Sequence, residues 1–407
     1  MLTDEGTAFE FRGEEKMPMT FSAVLGNFQL TPALESFLRE GHETPFLVMD
    51  IRAVESKFRE LRGQFRSSEI HYAVKANPAP EILLALWDVG CNFDVASPQE
   101  IALCLHLGIP ACHLSYGNTI KKAKDIAYAY ARGVRLFSFD SLTELEKLAA
   151  CAPGSKVMCR VLVSSEGASW PLSKKFGCDR ETALDLLQLA FKRGLKPYGI
   201  SFHVGSQQQN PYAWDTALSE IAQLVSSLGS KGIDLEIINI GGGLPAQYQE
   251  QVPRLEVFAE TIQTALQAYM PGLRVMLEPG RSLVADAGVI QSEVVLISQK
   301  SREDETRWVY LDISKFNGLI ETMDESINYR LRSSKDNSPK GRVILAGSTC
   351  DSADILYEKT PVELPLSLAV GDRLEFLSAG AYTSSYSSVG FNGFPPLRTY
   401  CIEERKK

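Results

Sequence analysis

The chain has 407 residues, 44% of them hydrophobic and 23% charged, with a formal net charge of -8. Such a composition is that of a folded globular protein, and the negative balance speaks against a nucleic acid or an anionic membrane as a partner held by general charge. A small cationic substrate suits this field better, and the length calls for two domains, or a barrel with an added domain.

Residues 1–17 are acidic and polar with no apolar signal core, and no run elsewhere is long enough to span a bilayer, so a cytoplasmic protein is expected. The eight cysteines form no C-x-x-C pair or regular framework, and no metal site is expected. Most are expected reduced and buried. Cys350 differs, because it lies in the polar, turn-like Gly347-Ser348-Thr349-Cys350-Asp351-Ser352, where a thiol can reach solvent or substrate.

Taken in order, the chain opens with strand-like pieces at 8–11 and 19–21, a short helix at 32–40 and a strand at 45–50. A rhythm then sets in. Apolar or β-branched runs ending in a polar residue or Gly recur at 71–75, 92–97, 113–118, 135–140, 156–163, 198–205, 236–243 and 274–280. Amphipathic stretches separate them, at 80–90, 98–108, 142–150, 182–194, 212–232 and 255–269. Two of these open with capping boxes, Ser97-Pro98-Gln99-Glu100 and Ser141-Leu142-Thr143-Glu144. Alternating β and α means parallel strands, and eight is the number that closes a (β/α)8 TIM barrel; an open doubly wound sheet is the alternative. After Arg281 the runs at 287–297, 308–311, 342–346, 373–376 and 399–403 read as strands of a second, all-β domain. The expected division is 46–282 for the barrel and 1–45 with 283–407 for the β-domain.

A barrel carries its site at the C-terminal ends of its strands. In order the runs end in Lys75, Asp94 with Ser97, Asn118, Asp140, Arg160, His203 with Ser206, Gly241-Gly242-Gly243, and Glu278 with Arg281. Each has a plain structural explanation alone: a helix-capping charge, a core histidine, a strand-end ion pair. Their convergence on one rim is the evidence. Lys75 ends its run just before Pro78, where loss of water is expected to lower its pKa and free the amine for a Schiff base. Three glycines after an apolar strand are either a phosphate cradle or a tight turn. Glu278 is placed to keep a pyridine nitrogen protonated, and Arg281 to hold a phosphate by two N–H bonds. Pyridoxal 5'-phosphate uses all these parts at once, with His203 stacked on the ring, Ser206 giving a hydroxyl to the phosphate, and Asp94 orienting the lysine.

With these residues the chain resembles the fold type III, alanine-racemase-like pyridoxal-phosphate decarboxylases of basic amino acids. The resemblance runs through Tyr72-Ala-Val-Lys-Ala-Asn77, Phe93-Asp-Val-Ala-Ser97, Ser201-Phe-His-Val-Gly-Ser206, Gly241-Gly-Gly243, Glu278-Pro-Gly-Arg281, Cys350-Asp351, Gly380-Ala-Tyr-Thr383 and Phe391-Asn-Gly-Phe394. It implies a barrel plus a β-domain in a head-to-tail homodimer with shared sites. It also implies that Lys75, Glu278, His203 and Cys350 are catalytic, with Cys350 and Asp351 supplied by the neighbouring subunit and Cys350 returning a proton after CO2 leaves. The cofactor set implied is Lys75, Asp94, Arg160, His203, Ser206, Gly242, Gly243, Glu278, Gly280, Arg281 and Tyr382; the substrate set is Asp324, Asp351 and Phe391. Relatives acting on diaminopimelate resemble Cys-Glu-Ser at the cysteine motif. Cys350-Asp351-Ser352 and Asp324 in Thr322-Met-Asp-Glu-Ser326 instead suit a distal ammonium, and the expectation is L-ornithine decarboxylation to putrescine, with lysine or both substrates as the alternative. A non-catalytic regulator fits less well, since such relatives tend to lose residues that are all present here. Two departures from the pattern stand out: Ser348 replaces the usual Pro of Gly-Pro-Thr-Cys, and the segment before Asp324 is shorter than in eukaryotic ornithine decarboxylases.

Overall fold

The computed structural model describes residues 29–170, 175–303 and 305–403; the segments expected as strands at 8–11 and 19–21 lie outside them. Eight parallel strands close into a barrel in chain order: Glu69–Ala73, Asn92–Val95, Leu114–Tyr116, Leu136–Phe139, Lys156–Arg160, Lys196–Ser201, Ile237–Asn239 and Arg274–Leu277. All eight expected runs are therefore barrel strands. Closure comes from the last strand pairing with the first, Met276 beside Glu69 and Leu277 beside Ile70.

Each amphipathic stretch folds as a helix with its apolar stripe inward. In Ala213–Ser230, for example, Trp214, Ala217, Leu218, Ile221, Leu224 and Leu228 are buried, a spacing of three and four residues. Both capping boxes cap: the Ser97 and Ser141 hydroxyls accept from the amides of Glu100 and Glu144. Ala123–Ala131 and Ile51–Gln64 add two helices to those named from sequence. The latter precedes the first barrel strand and packs between Pro80–Asp88 and Leu255–Tyr269, so it fills the gap left because only a four-residue helix, Arg281–Val284, follows the eighth strand. No helix among the described residues is long and apolar enough to cross a membrane.

The second domain is an eight-stranded sheet. Its main order is Arg330–Ser333, Arg373–Leu377, Gly288–Ser298, Arg307–Leu311, Lys340–Gly347 and Ile355–Pro365. Phe46–Asp50 also belongs here, pairing antiparallel with Gly288–Ser298 and parallel with Arg398–Ile402. This corrects the barrel span beginning at 46: the apolar strand at its start serves the other sheet, and the chain crosses into the barrel layer only with the helix that Asp50 caps. Loop 379–388 of the β-domain lies on the turn that carries Lys75. Asn77 Nδ2 donates to the Gly380 carbonyl at 2.9 Å, the Tyr382 amide to the Ala76 carbonyl at 2.8 Å, and Ser385 Oγ to the Lys75 carbonyl at 2.8 Å.

Beyond the third strand a second lysine is wholly enclosed. Lys121 Nζ donates to the carbonyls of Asn118 (2.6 Å) and Ser138 (2.7 Å) and pairs with Glu144 at 3.0 Å, while Lys147 takes the other Glu144 oxygen at 2.5 Å. Burial pulls the Lys121 ammonium down to about 8, against the attraction of Glu144. The folded pKa lies below the unfolded value of about 10.4, so the unfolded chain binds more protons between those two values and stability rises with pH across that window. The rise attributable to this side chain is about 3 kcal/mol. Lys121→Met is expected to flatten it, checked by denaturant unfolding of both proteins at pH 7.5 and pH 10; equal slopes in the two would refute the assignment.

Candidate active site

The first barrel strand stops at Ala73, and a single turn, Val74–Ala76, lifts Lys75 onto the rim with 55% of its side chain exposed. Its Nζ stands 3.9 Å from Asp94 Oδ2. Loss of solvent pulls the ammonium down, but the charge of Asp94, with Tyr382 and Glu278 beyond it, outweighs this and holds Lys75 above the ordinary lysine range. The expected lowering is thus corrected, because the sequence reading counted desolvation and left out the carboxylates opposite. Asp94 is buried, and burial together with Glu278 pushes it up against the pull of Lys75. Its Oδ1 has no hydrogen-bond partner, and a Cβ at Gly117 would lie 2.1 Å from it.

Glu278 follows the eighth strand and is held from the neighbouring strand end: Asn239 Nδ2 donates to Glu278 Oε1 at 2.6 Å, while Asn239 Oδ1 accepts from the Gly241 amide at 2.9 Å. His203 follows the sixth strand. Its Nδ1 accepts from the Gly205 amide at 3.0 Å, which leaves the ring proton on Nε2, and burial followed by the charges of Arg160 and Lys75 keeps the imidazole neutral far below its ordinary range. Arg160, at the end of the fifth strand, lies over the Phe176 ring at 5.1 Å and is pulled down by burial.

The glycine run turns under this group. Gly243 has φ +109, and a Cβ there would come within 2.5 Å of the Gly205 carbonyl oxygen, so no other residue fits the turn without moving that backbone. A Cβ at Gly242 would meet the Glu278 carbonyl at 2.5 Å and His203 Nε2 at 3.4 Å, and one at Gly280 would lie 3.2 Å from the Tyr382 hydroxyl. Arg281 is buried with Glu321, Tyr248 and Ser206 around its guanidinium. Its Cζ lies 4.9 Å from the centre of the Tyr382 ring.

Lys75, Asp94, Arg160, His203, Ser206, Gly242, Gly243, Glu278, Gly280, Arg281 and Tyr382 therefore gather on one rim. The substrate set does not join them within the chain. Cys350 is exposed and its amide donates to Asn392 Oδ1 at 2.9 Å; Phe391 packs edge-on against Phe316 with centroids 5.0 Å apart; the Asp351 carboxylate accepts from the nearby Ala353 amide. Asp324 is exposed, with φ +52. Other strand-end residues have structural work. Asn118 bridges Ala96 and Ile120, and Asp140 accepts from the Gly177 amide at 2.8 Å. A cavity of about 720 Å³ on the barrel flank, lined by Asp50, Lys57, Leu255 and Asp286 among others, contains none of the rim residues.

Sequence reading missed Asn239, Tyr248 and Glu321. Asn239 was legible as the polar end of an apolar strand, two residues before the glycines. Tyr248 carries no such signal, and Glu321 looked like one more acid near Asp324.

The residues suit pyridoxal phosphate on the evidence of their own geometry. An amine stands at the rim, a carboxylate is fixed by an amide, and glycine turns that a Cβ would fill lie with the Tyr382 hydroxyl 3.2 Å from one of them, while Ser206 Oγ accepts from Arg281. If Asn239 fixes Glu278, Asn239→Ala should weaken cofactor affinity about tenfold, the scale of one hydrogen bond to a charged group. Quenching of protein fluorescence by added cofactor measures it, and unaltered affinity argues against the role.

Residues 51–285 match the family described as pyridoxal-dependent decarboxylase, pyridoxal binding domain. The chain is 33% identical over 380 residues to the lysine/ornithine decarboxylase of Selenomonas ruminantium, covering 93% of this chain and 95% of that one. It is 31% identical to the ornithine decarboxylase of Caenorhabditis elegans, covering 89% and 88%. The crystal structure of SrLDC in complex with PLP and cadaverine superimposes with a TM-score of 0.84 at 31% identity, covering 93% of this chain and 95% of that one. With the closed barrel, the β-domain and the rim already described, this chain belongs to the fold type III pyridoxal-phosphate-dependent decarboxylases of basic amino acids.

Proposed function

We propose that the chain decarboxylates L-ornithine to putrescine and CO2, working as a homodimer in which each site borrows Cys350 and Asp351 from the neighbouring subunit. The observation that carries the substrate reading is the pair of exposed acids, Asp324 and Asp351, neither of which forms an ion pair among the described residues. Two carboxylates outside any ion pair among the described residues suit a distal ammonium and would repel a distal carboxylate. The borrowed-residue reading is supported by the outward position of Cys350, Asp351 and Phe391, whose contacts run along the β-domain surface and not to the rim.

In this reading Lys75 would hold the cofactor at the barrel rim. Bound pyridoxal phosphate supplies an electron sink for the pair left when the Cα–carboxyl bond breaks. Glu278, held by Asn239, would keep a proton on the ring nitrogen. His203, neutral and fixed by Gly205, would bound the cofactor ring without adding a competing positive charge. Ser206, Gly243 and Tyr382 would hold the phosphate. Cys350 then gives a proton to Cα, so that one proton is consumed for each CO2 released.

Lysine is the second reading, favoured by the 33% identity to a lysine/ornithine decarboxylase. One methylene in a pocket is worth about 1–3 kcal/mol, so the two substrates need not be sharply separated. The test is CO2 release from purified protein with pyridoxal phosphate and equal concentrations of L-ornithine, L-lysine, L-arginine or meso-diaminopimelate. Ornithine is expected to lead, Lys75→Ala to abolish steady turnover, and Asp324→Asn to raise KM for ornithine about tenfold, the scale of one charge-assisted contact. Equal or faster release from lysine would widen the substrate, and silence with all four would overturn the reading.

A further inference from the structure

Three acids stand on one short segment, Glu321, Asp324 and Glu325, and their surroundings differ. Glu321 is buried against Arg281, and Asp324 is exposed. Glu325 is half-buried on the edge strand Ile355–Pro365, where its carboxylate accepts three backbone N–H groups in succession. Glu358 and Lys359 donate to Oε1 at 2.9 and 2.8 Å, and Thr360 donates to Oε2 at 2.5 Å.

These donors come from a slip in the sheet. Against Lys340–Gly347 the edge strand pairs in step from Pro365 to Val362, which faces Val343; the next pairing sets Tyr357 against Leu345. Residues 358–361 therefore answer the single residue Ile344 and bulge out of the ladder. Pro361 has no N–H to give, and Glu325 takes the other three. Successive amides aimed at one carboxylate form a nest for an anion. Burial would raise this carboxyl, but the Thr360 side chain and the amides of Lys359, Glu358 and Thr360 outweigh it and bring it down to about 2, so the anchor stays charged across the neutral range.

The anchor holds unusual backbone. Asp324 and Glu325 are successive left-handed residues, with φ +52 and +57, a conformation that side chains other than glycine rarely adopt. The flanks of the segment are tied separately: Glu321 to Arg281, and Ile327 and Tyr329 to the Tyr357 hydroxyl, which donates to the Ile327 carbonyl at 2.8 Å and accepts from the Tyr329 amide at 2.9 Å. We propose that Glu325 is a positioning residue for substrate choice: its grip on the bulged edge strand sets Asp324 in place for the distal ammonium before substrate arrives. A carboxylate on a loose turn must be ordered by the ligand it binds, at a cost in affinity, whereas an anchored one is ordered on folding. The inference rests on the reading of Asp324 as the distal-ammonium contact, and it assigns Glu325 no contact with substrate or cofactor.

The experiment uses the holoenzyme and two ligands of equal chain length, L-ornithine and L-norvaline, which lacks the distal ammonium. L-lysine and L-norleucine form a second pair, so either diamino acid serves. Binding is followed by the visible absorbance of the bound cofactor, and KM and kcat by CO2 release. Glu325→Ala is expected to cost about tenfold in affinity and KM for the diamino acid, with norvaline affinity, pyridoxal phosphate affinity and kcat within about twofold of the parent. In an Asp324→Asn background the same substitution is expected to add little, because its effect passes through Asp324. Equal losses for both members of a pair would mean a general loosening of the site and overturn the proposal. So would an unchanged preference for the diamino acid, or losses that multiply in the double variant. Thermal unfolding checks the fold. Should Glu325→Ala not fold, Glu325→Gln replaces it, keeping the volume and losing the charge: a loss of about threefold confined to the diamino acid supports the anchor, and a parent-like preference overturns it. If Asp324→Asn leaves the preference intact, the substrate reading falls and takes this inference with it. If Asp324→Asn removes the preference and Glu325→Ala does not, this inference alone falls.

Discussion

Everything at the rim depends on how the barrel closes. The last strand meets the first through Met276 and Leu277 against Glu69 and Ile70, and just past this pairing the Ala73 amide donates to the Pro279 carbonyl at 2.9 Å. That bond joins the end of strand one to the turn after strand eight. Lys75 and Glu278, two hundred residues apart in sequence, thereby become neighbours in space. Parallel strands with helical crossovers leave all eight C-terminal ends on the same side, so residues that terminate apolar runs need no further instruction to converge.

Convergence of this kind brings charges together where water is scarce. Asp94, Arg281 and Glu321 are buried, and Glu278 adds to the cost of ionising Asp94 near Lys75. Buried ion pairs of this sort are weak contributors to stability, because desolvation consumes most of what attraction returns. Their value lies in fixed orientation. Asn239 holds Glu278, Gly205 holds His203, and Glu321 holds Arg281, each by a bond that sets the direction of a functional group. A cofactor entering such a site finds dipoles already arranged, and little reorganisation is left to oppose the chemistry.

Period and punctuation made the barrel legible. Each strand announced itself as an apolar run, and the polar or glycine residue at its end was the same feature that marked the site. What failed to show had a physical cause in each case. Ile355–Pro365 carries Glu358, Lys359 and two prolines, a pattern permitted because it lies on the sheet edge, where missing donors cost little. Phe46–Asp50 is buried throughout and reads like a barrel strand; only its pairing partners reveal the other sheet. The pKa of Lys75 went the other way because it depends on Asp94 and Glu278, which no local reading of Tyr72 to Asn77 contains. Glu321 was hidden for the same reason. Its partner lies forty residues upstream, in a different domain layer.

The distribution of rigid and irregular backbone across the site separates two tasks. The residues assigned to the cofactor sit at strand ends or in turns bonded to them. The acids assigned to the substrate sit elsewhere: Asp324 in a kinked turn with left-handed φ, Asp351 in an exposed loop, and Phe391 beside another left-handed residue, Asn392. Loops of this kind change length and composition without disturbing a barrel, whereas a change at Gly243 or Asn239 would disturb the turn beneath the cofactor. Decarboxylation can therefore stay constant while the distal end of the substrate varies. The shorter segment before Asp324 and the serine at 348 both fall on the loop side of that division, so under the proposed reading they bear on the distal end of the substrate, and the serine also on the loop that carries Cys350.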